Sequence, residues 1–202
     1  MSELRLYNPS TRREDRDRLL RIVAASLSME PFTRSDGRVV RNYVQGHLVL
    51  GDPAGLRLAS SLILDAIRQT PATIVAGEIS AACALVSGVV ALSAKTSRPL
   101  SGRYIRRETR PYGIPGRLNA PLPPDSNVFL VDDVAATGAS GLRCIEALRS
   151  LGHNVVAMMV LVDRDQGAAE RLKRLGVELS ALFTLDEVKS VGADSWKTAA
   201  SG

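Results

Sequence analysis

Apolar residues are arranged along this chain in short runs and in longer stripes with helical spacing. The runs, many of them rich in β-branched residues, predict buried strands at residues 73–76, 104–106, 128–131, 155–162 and 177–183, with a further β segment at 39–49. The stripes predict helices at residues 12–29, from 52–53 to before Pro71, at 80–91, from about 141 to 152, and at 167–174. Thr184 and Glu187 have the spacing of a capping box, which predicts a short closing helix.

The alternation of strands and helices determines the expected fold class. Between residues 52 and 183 a strand and a helix recur about every 30 residues, as in βαβ units. This predicts an α/β fold with a mostly parallel central sheet flanked by helices, and with ligands bound at the carboxyl ends of the strands. We expect residues 1–202 to form a single domain, with a small N-terminal hood over residues 1–50 and a frayed tail over residues 192–202. The segment 107–126 is rich in proline and glycine and predicts a mobile loop of the kind that covers active sites.

The amino-acid composition limits the classes of partner that the chain is expected to bind. The chain has 202 residues, is 45% hydrophobic and 23% charged, and carries a formal net charge of +5, which suits an anionic ligand. No basic run is interleaved with aromatic residues, so we expect no nucleic-acid partner. No apolar run approaches the ~20 residues of a membrane span, and the first residues do not resemble a signal peptide. Together with two cysteines in apolar contexts, this predicts a soluble, cytoplasmic protein with no membrane partner.

One stretch, residues 127–140, carries the clearest chemistry. Two acids, Asp132 and Asp133, directly follow the apolar run 128–131, and a loop of small residues then leads into a helix. We expect both carboxylates to face outward at the strand end, where they can accept hydrogen bonds from vicinal ribose hydroxyls. Backbone N–H groups of the loop and the helix dipole favour a phosphate. The plainer alternative is a surface turn between a strand and a helix.

This stretch closely resembles the phosphoribosyl pyrophosphate (PRPP) motif of type I phosphoribosyltransferases. The resemblance implies a PRPP site formed by Asp132, Asp133, Ala135, Ala136, Thr137, Gly138, Ala139 and Ser140, with Arg106 added from the lid. Ala136 stands where many members of the family carry threonine. The family also implies Mg²⁺, carried on pyrophosphate and ribose oxygen atoms without protein ligands, and a homodimer.

From about Phe32 to Val188 the chain is similar to the orotate phosphoribosyltransferases, which transfer ribose 5-phosphate from PRPP to orotate in pyrimidine nucleotide biosynthesis. The family arginine that holds the orotate carboxylate falls on Arg164, and Tyr43 falls in the base-stacking segment. Segment 104–113 resembles the catalytic lid. There Arg107 and Arg110 occupy two lysine places and Tyr112 a histidine place, so these three residues are the implied catalytic residues.

Two departures from the family pattern keep alternatives open. The family's pyrophosphate loop has a lysine, whereas residues 81–84 contain no cation, and in segment 40–44 Tyr43 is the only aromatic residue. One alternative is a PRPP-dependent transferase for another heterocyclic base, and another is a catalytically weakened PRPP- or nucleotide-binding regulator. His47 and His153 have no partner pattern, and we interpret them as structural.

Overall fold

The elements of the fold were defined in a computed structural model that describes residues 9–28, 30–33, 37, 39–110 and 116–191. The helices are α1 (Pro9–Ala25), α2 (Gly46–Gly51), α3 (Pro53–Arg68), α4 (Cys83–Ser93), α5 (Ala139–Arg149), α6 (Ala168–Lys173) and α7 (185–191). The strands are β1 (Leu27–Ser28), β2 (Phe32–Thr33), β3 (Val39–Val40), β4 (Tyr43–Val44), β5 (Ile74–Glu78), β6 (Ser101–Arg110), β7 (Gly116–Leu118), β8 (Asn127–Ala135), β9 (Asn154–Asp163) and β10 (Leu179–Thr184).

The central sheet has the strand order β10-β9-β8-β5-β6-β7. All neighbours in it are parallel except β6 and β7, which form an antiparallel hairpin at one edge. The chain passes from β5 outward to β6 on one side, and from β8 outward to β9 and β10 on the other. The strand order therefore reverses between β5 and β8, which is where open α/β sheets leave a ligand crevice beyond the strand carboxyl ends.

Two apolar clusters cover the two faces of this sheet. One contains Val75, Phe129 and Val131 and packs against α1, α3 and α4. The other contains Ile74, Val128 and Leu130 and packs against α5 and α6. Because consecutive residues of a strand point to opposite faces, continuous apolar runs in β5 and β8 are needed to cover both sides. The predicted fold class, a mostly parallel α/β sheet flanked by helices, is confirmed.

The helix predictions with strong end signals are confirmed. Asp52 precedes α3, its Oδ1 accepts a hydrogen bond from the N–H of Gly55 at 2.7 Å, and Pro53 is the first helical residue. At the other end of the chain, the N–H of Thr184 donates to Glu187 Oε2 at 2.9 Å, and the N–H of Glu187 donates to Thr184 Oγ1 at 3.2 Å. This reciprocal pair is a capping box, and it starts α7.

Two N-terminal predictions are wrong. The first helix ends at Ala25 rather than at residue 29, because Leu27 and Ser28 pair with Val44 and Tyr43 as strand β1. The β segment expected at 39–49 is only two short strands, and its second half is helix α2. Alternating apolar residues in so short a stretch fit either structure, and packing against α3 decides for the helix.

The expected loop at 107–126 includes part of a hairpin, at residues 107–110 and 116–118. Strand β6 continues to Arg110, well beyond the predicted 104–106, and β7 pairs with it in antiparallel register from Ile105↔Leu118 to Arg110↔Gly116. Prolines 111 and 115 lie outside the described residues, while proline-rich segment 121–124 follows the hairpin as irregular backbone. The predicted tail at 192–202 also lies outside the described residues. None of the described helices has the length and apolar character that crossing a bilayer requires.

Candidate functional site

The acidic pair, Asp132 and Asp133, lies within the last four residues of β8 rather than after the strand. Parallel pairing with β9 continues through Asp132↔Val160 and Val134↔Val162 to Ala135↔Asp163. The backbone therefore keeps its ladder hydrogen bonds while the side chains change from apolar to acidic. This places both acids at the carboxyl end of the central strand, beside the end of β5.

The two carboxylates point to opposite faces of the sheet, so the expectation that both face outward is wrong. Asp132 is on the face of α5, is only 6% exposed, and accepts a hydrogen bond from Ser140 Oγ at 2.9 Å. Burial, and secondarily the neighbouring charge of Asp133, raises the pKa of Asp132 to about 7. A carboxyl group with this pKa is poised to change protonation state near neutral pH.

Asp133 is on the opposite face, against α2. Its Oδ1 accepts a hydrogen bond from the N–H of Val134 at 2.7 Å, and a Cβ atom at Gly46 would collide with its Oδ2. Burial raises the pKa of Asp133, while hydrogen bonds and the charge of His47 lower it. Asp133 is half-buried and faces the crevice through a cavity described below.

The loop after β8 is shorter than the sequence indicated. Only residues 136–138 separate the strand from α5, so Ala139 and Ser140 lie in the first helical turn. Gly138 has φ +72°, a left-handed conformation that favours glycine. The first N–H groups of a helix have no partner within the helix, and here they follow a tight turn made of Ala136, Thr137 and Gly138. The backbone N–H groups of the loop and of the first turn of α5 are therefore suited to binding an anion.

The Arg164 cavity lies beside this loop and has a volume of about 850 Å³; it is lined by Val39, Arg41, Asn42, Ala136, Thr137, Arg164, Asp165, Gln166, Leu185 and Lys189. Arg164 follows β9, and its Nη2 donates to the carbonyl oxygen of Arg41 at 3.0 Å. Its buried Nε–H has no hydrogen-bond partner in the described part of the chain, and burial lowers its pKa. A buried guanidinium with an unused donor is suited to a planar anion such as a carboxylate.

The Asp133 cavity lies at the end of β5 and has a volume of about 520 Å³; it is lined by Tyr43, His47, Leu50, Gly51, Ser80, Ala81, Ala84 and Asp133. Its walls come from β4, α2, the turn after β5 and the end of β8. Tyr43 lines only this cavity, but it lies near enough to Arg164 to raise the pKa of that guanidinium against the effect of burial. The predicted base-binding residues Tyr43 and Arg164 are therefore brought close together.

Of the predicted lid residues, Arg106 and Arg107 lie on strand β6, which also includes the backbone of Arg110. Arg106 Nη1 donates to the carbonyl oxygens of Leu118 at 2.8 Å and Gly116 at 3.2 Å, so its guanidinium bonds across the hairpin. Arg107 is exposed on β6. Tyr112 and the side chain of Arg110 lie outside the described residues, and their catalytic roles stay predictions.

Sequence reasoning missed two features of this edge of the sheet. The first is His47, which we interpreted as structural and which lines the Asp133 cavity. The second is Glu78, the last residue of β5, whose two carboxylate oxygens accept hydrogen bonds from Arg143 at 2.8 and 2.6 Å. Arg143 belongs to α5, so this pair connects the end of β5 to the helix that follows the loop at residues 136–138. An acid one residue after the apolar run 74–76 was the available signal, similar to the one used for β8.

Comparison with known proteins gives a consistent result. Residues 56–179 match the Phosphoribosyl transferase domain family. The chain is 36% identical over 165 residues to orotate phosphoribosyltransferase from Aeropyrum pernix, covering 78% of this chain and 82% of the relative. It is 32% identical over 159 residues to orotate phosphoribosyltransferase from Nostoc, covering 78% and 77%. Among solved structures, orotate phosphoribosyltransferase from Mycobacterium tuberculosis in complex with PRPP has the same fold, with a TM-score of 0.72 at 23% identity over 87% of this chain and 99% of that one.

Proposed function

Because this chain belongs to the orotate phosphoribosyltransferase family, we propose that it transfers the ribose 5-phosphate group of PRPP to orotate, in pyrimidine nucleotide biosynthesis. A ring nitrogen of orotate forms a bond to the anomeric carbon of the ribose as the bond from that carbon to pyrophosphate breaks. The products are orotidine 5′-phosphate and pyrophosphate. An oxocarbenium-like transition state requires mainly positioning and stabilisation of the leaving charge.

The acidic pair is proposed to hold the ribose hydroxyls. The feature that best supports this proposal is the adjacent placement of Asp132 and Asp133, the Gly138 turn and the start of α5 at the strand-order reversal. Residues 135–140 would enclose the 5′-phosphate with backbone N–H groups, and Ser140 holds Asp132 in place through its 2.9 Å hydrogen bond. The helix dipole of α5 favours the phosphate charge.

Arg164 is proposed to bind the carboxylate of orotate. Its unused buried Nε–H and its Nη2, which now bonds the carbonyl oxygen of Arg41, offer the donors that a bidentate contact needs. Tyr43 would contact the base from the other side. Arg164 lines the Arg164 cavity, and Tyr43 lines the Asp133 cavity.

Mg²⁺ is proposed to act on PRPP rather than in a protein cage. Magnesium is usually bound through substrate phosphates, one or two carboxylates and several waters. The oxygen-rich ligand and the nearby acidic pair fit such an ion, with the carboxylates acting through the ribose hydroxyls rather than directly on the metal. When bound, the ion neutralises part of the charge on the departing pyrophosphate, and Arg106, Arg107 and Arg110 of the lid are proposed to neutralise more.

The proposed function is tested by incubating the full chain with PRPP, Mg²⁺ and a panel of bases while pyrophosphate release is measured. Orotate should give pyrophosphate and orotidine 5′-phosphate, and Asp133→Asn should abolish most of this activity. Turnover with another base alone would replace orotate as the acceptor. Binding of PRPP without turnover on any base would favour a regulator.

We further propose that the protein is a homodimer in the cytoplasm. Both properties follow from the resemblance to the family, in which a lid reaches across the dimer interface. Sedimentation equilibrium with and without PRPP would measure the subunit number directly.

A further inference from the structure

The two cavities beside the acidic pair are unequal in charge. The Arg164 cavity is lined by three cationic side chains, Arg41, Arg164 and Lys189. The Asp133 cavity has one residue among those described that can carry a positive charge, His47. The remaining polar groups there are the carboxylate of Asp133 and the hydroxyls of Tyr43 and Ser80.

The proposed function determines which part of PRPP enters the Asp133 cavity. The phosphate on C5 would occupy the loop at 135–140, and residues 136 and 137 of that loop belong to the Arg164 cavity. The hydroxyl on C2 is adjacent to the diphosphate on C1. With the ribose hydroxyls on the acidic pair, the diphosphate would therefore point away from the loop, towards α2 and the turn at residues 79–82.

A diphosphate beside Asp133 needs a positive charge to offset repulsion from the carboxylate. Residues 81–84, which are Ala, Ala, Cys and Ala, offer none. His47 projects from α2 into the same cavity and is exposed, so its imidazole can reach a ligand without rearrangement of the core. Its positive charge also influences the carboxyl of Asp133.

We infer that His47, in its protonated form, binds the diphosphate group of PRPP and supplies the cation that the turn after β5 lacks. This inference rests on the proposed function and adds a residue to it. The groups that face His47 in the cavity are Asp133 from β8, Tyr43 from β4 and Ser80 from the turn after β5; Asp132 lies on the far side of β8. A diphosphate in this cavity would be attracted by the imidazolium of His47, and that attraction would offset its repulsion from the carboxylate of Asp133.

Calorimetric binding of PRPP at pH 6.0 and pH 8.5 tests the inference with three variants of the full chain. Imidazoles as a class lose their charge between about pH 5 and 8, whereas a lysine stays charged. His47→Gln should weaken PRPP binding about 10-fold or more at pH 6.0, the typical effect of losing one charge-assisted hydrogen bond. His47→Lys should bind at least as tightly as the wild type at pH 6.0 and more tightly than the wild type at pH 8.5.

The matched control is Leu48→Lys, which adds a positive charge to the neighbouring exposed position of α2. PRPP and Asp132 titrate in the same pH range. The comparison among variants at each pH, rather than the wild-type profile, therefore isolates His47. Unchanged affinity in His47→Gln at pH 6.0 would overturn the inference, as would an equal gain from Leu48→Lys and His47→Lys. Failure of the wild type to bind PRPP would overturn the proposed function and this inference together. If the wild type converts orotate and the His47→Gln variant does so equally well, the inference alone is overturned.

Discussion

At the scale of single residues, Asp132 combines a functional position with a cost in stability. Its carboxyl is 6% exposed and sits beside a second acid. The pKa of about 7 in the folded protein lies far above the ordinary value for aspartate. The folded state therefore binds a proton that the unfolded chain has lost, and the stabilisation is complete at acidic pH and disappears as the pH rises through about 7.

Asp132→Asn should remove this pH dependence. The amide can keep a hydrogen bond to Ser140 and has no charge to bury, so the variant should be more stable than the wild type at pH 8, on the order of 2–4 kcal/mol. At pH 5 the two proteins should differ much less. Urea denaturation at both pH values measures the difference, and PRPP binding should weaken in the same variant. A wild type that is as stable at pH 8 as at pH 5 would show that Asp132 ionises without cost.

Arg164 is expected to discriminate between the two substrates. Arg164→Ala removes a charge-assisted pair with the orotate carboxylate, so the KM for orotate should rise by a factor that corresponds to about 2–4 kcal/mol. The affinity for PRPP should change little. Lys189→Ala is the control, because it removes another charge from the same cavity, where Lys189 bonds Asp186 at 3.0 Å. Equal effects of the two substitutions on orotate would indicate a general charge effect rather than a specific contact.

At the scale of elements, helix α2 supports the site through its first residue. Gly46 has no side chain, which lets the helix start approach Asp133 Oδ2. A methyl group there must displace either the carboxylate or the helix. Both adjustments alter the wall of the Asp133 cavity, because α2 also contributes His47, Leu50 and Gly51 to it.

Gly46→Ala should therefore impair PRPP binding more than folding. We expect affinity for PRPP to fall at least about 10-fold, with a loss of stability of roughly 1–3 kcal/mol from overpacking. Leu48→Ala, at an exposed position of the same helix, should change neither quantity appreciably. Calorimetry with PRPP and thermal denaturation of both variants make the comparison. Wild-type affinity in Gly46→Ala would mean that Asp133 can move without consequence.

The helices and strands also show which parts of the fold can be predicted from the sequence. Helix α3 has an Asp–Pro start, and α7 has a capping box, so local hydrogen bonding defines both and the sequence predicted them. Strand β8 was predicted too short because Asp132 and Asp133 are polar, although backbone pairing with β9 continues through them. Helix α2 and the β6–β7 hairpin depend on distant packing partners, and a local pattern contains no information about those partners. The position of His47 in the lining of the Asp133 cavity was not predicted for the same reason, since that position depends on α2.

At the scale of the whole molecule, Arg16 connects the first helix to the last. Its Nη2 donates to Glu187 Oε1 at 2.7 Å and to the carbonyl oxygen of Leu182 at 2.8 Å, and its guanidinium lies 4.7 Å from the centre of the Phe183 ring. These partners belong to β10 and α7, so this side chain adds a polar attachment of α1 to the edge of the sheet, beside the buried apolar contacts of Leu19 and Val23. The pair is partly exposed, with side-chain exposures of 39% and 40%, which limits its contribution.

Arg16→Ala should lower the free energy of unfolding by about 1–2 kcal/mol, from the ion pair and the cation–π contact together. The midpoint of thermal denaturation should fall by a few degrees. Arg13→Ala removes an exposed arginine from the same helix and should leave the midpoint unchanged. Equal midpoints for the two variants would show that α1 is held by its apolar contacts alone.

The two cavities beside the acidic pair have no lining residue in common. Substitutions in the lining of the Arg164 cavity therefore leave the lining of the Asp133 cavity, including the proposed base contact Tyr43, unchanged in sequence. If the Arg164 cavity binds the acceptor base and the Asp133 cavity binds the diphosphate, a few substitutions during evolution could change the acceptor base while the sugar donor stays the same. The same approach applies to protein engineering. Residues 39, 41, 42, 164 and 166 could be randomised to select a transferase for an unnatural base, while the residues proposed to bind the sugar donor are kept unchanged.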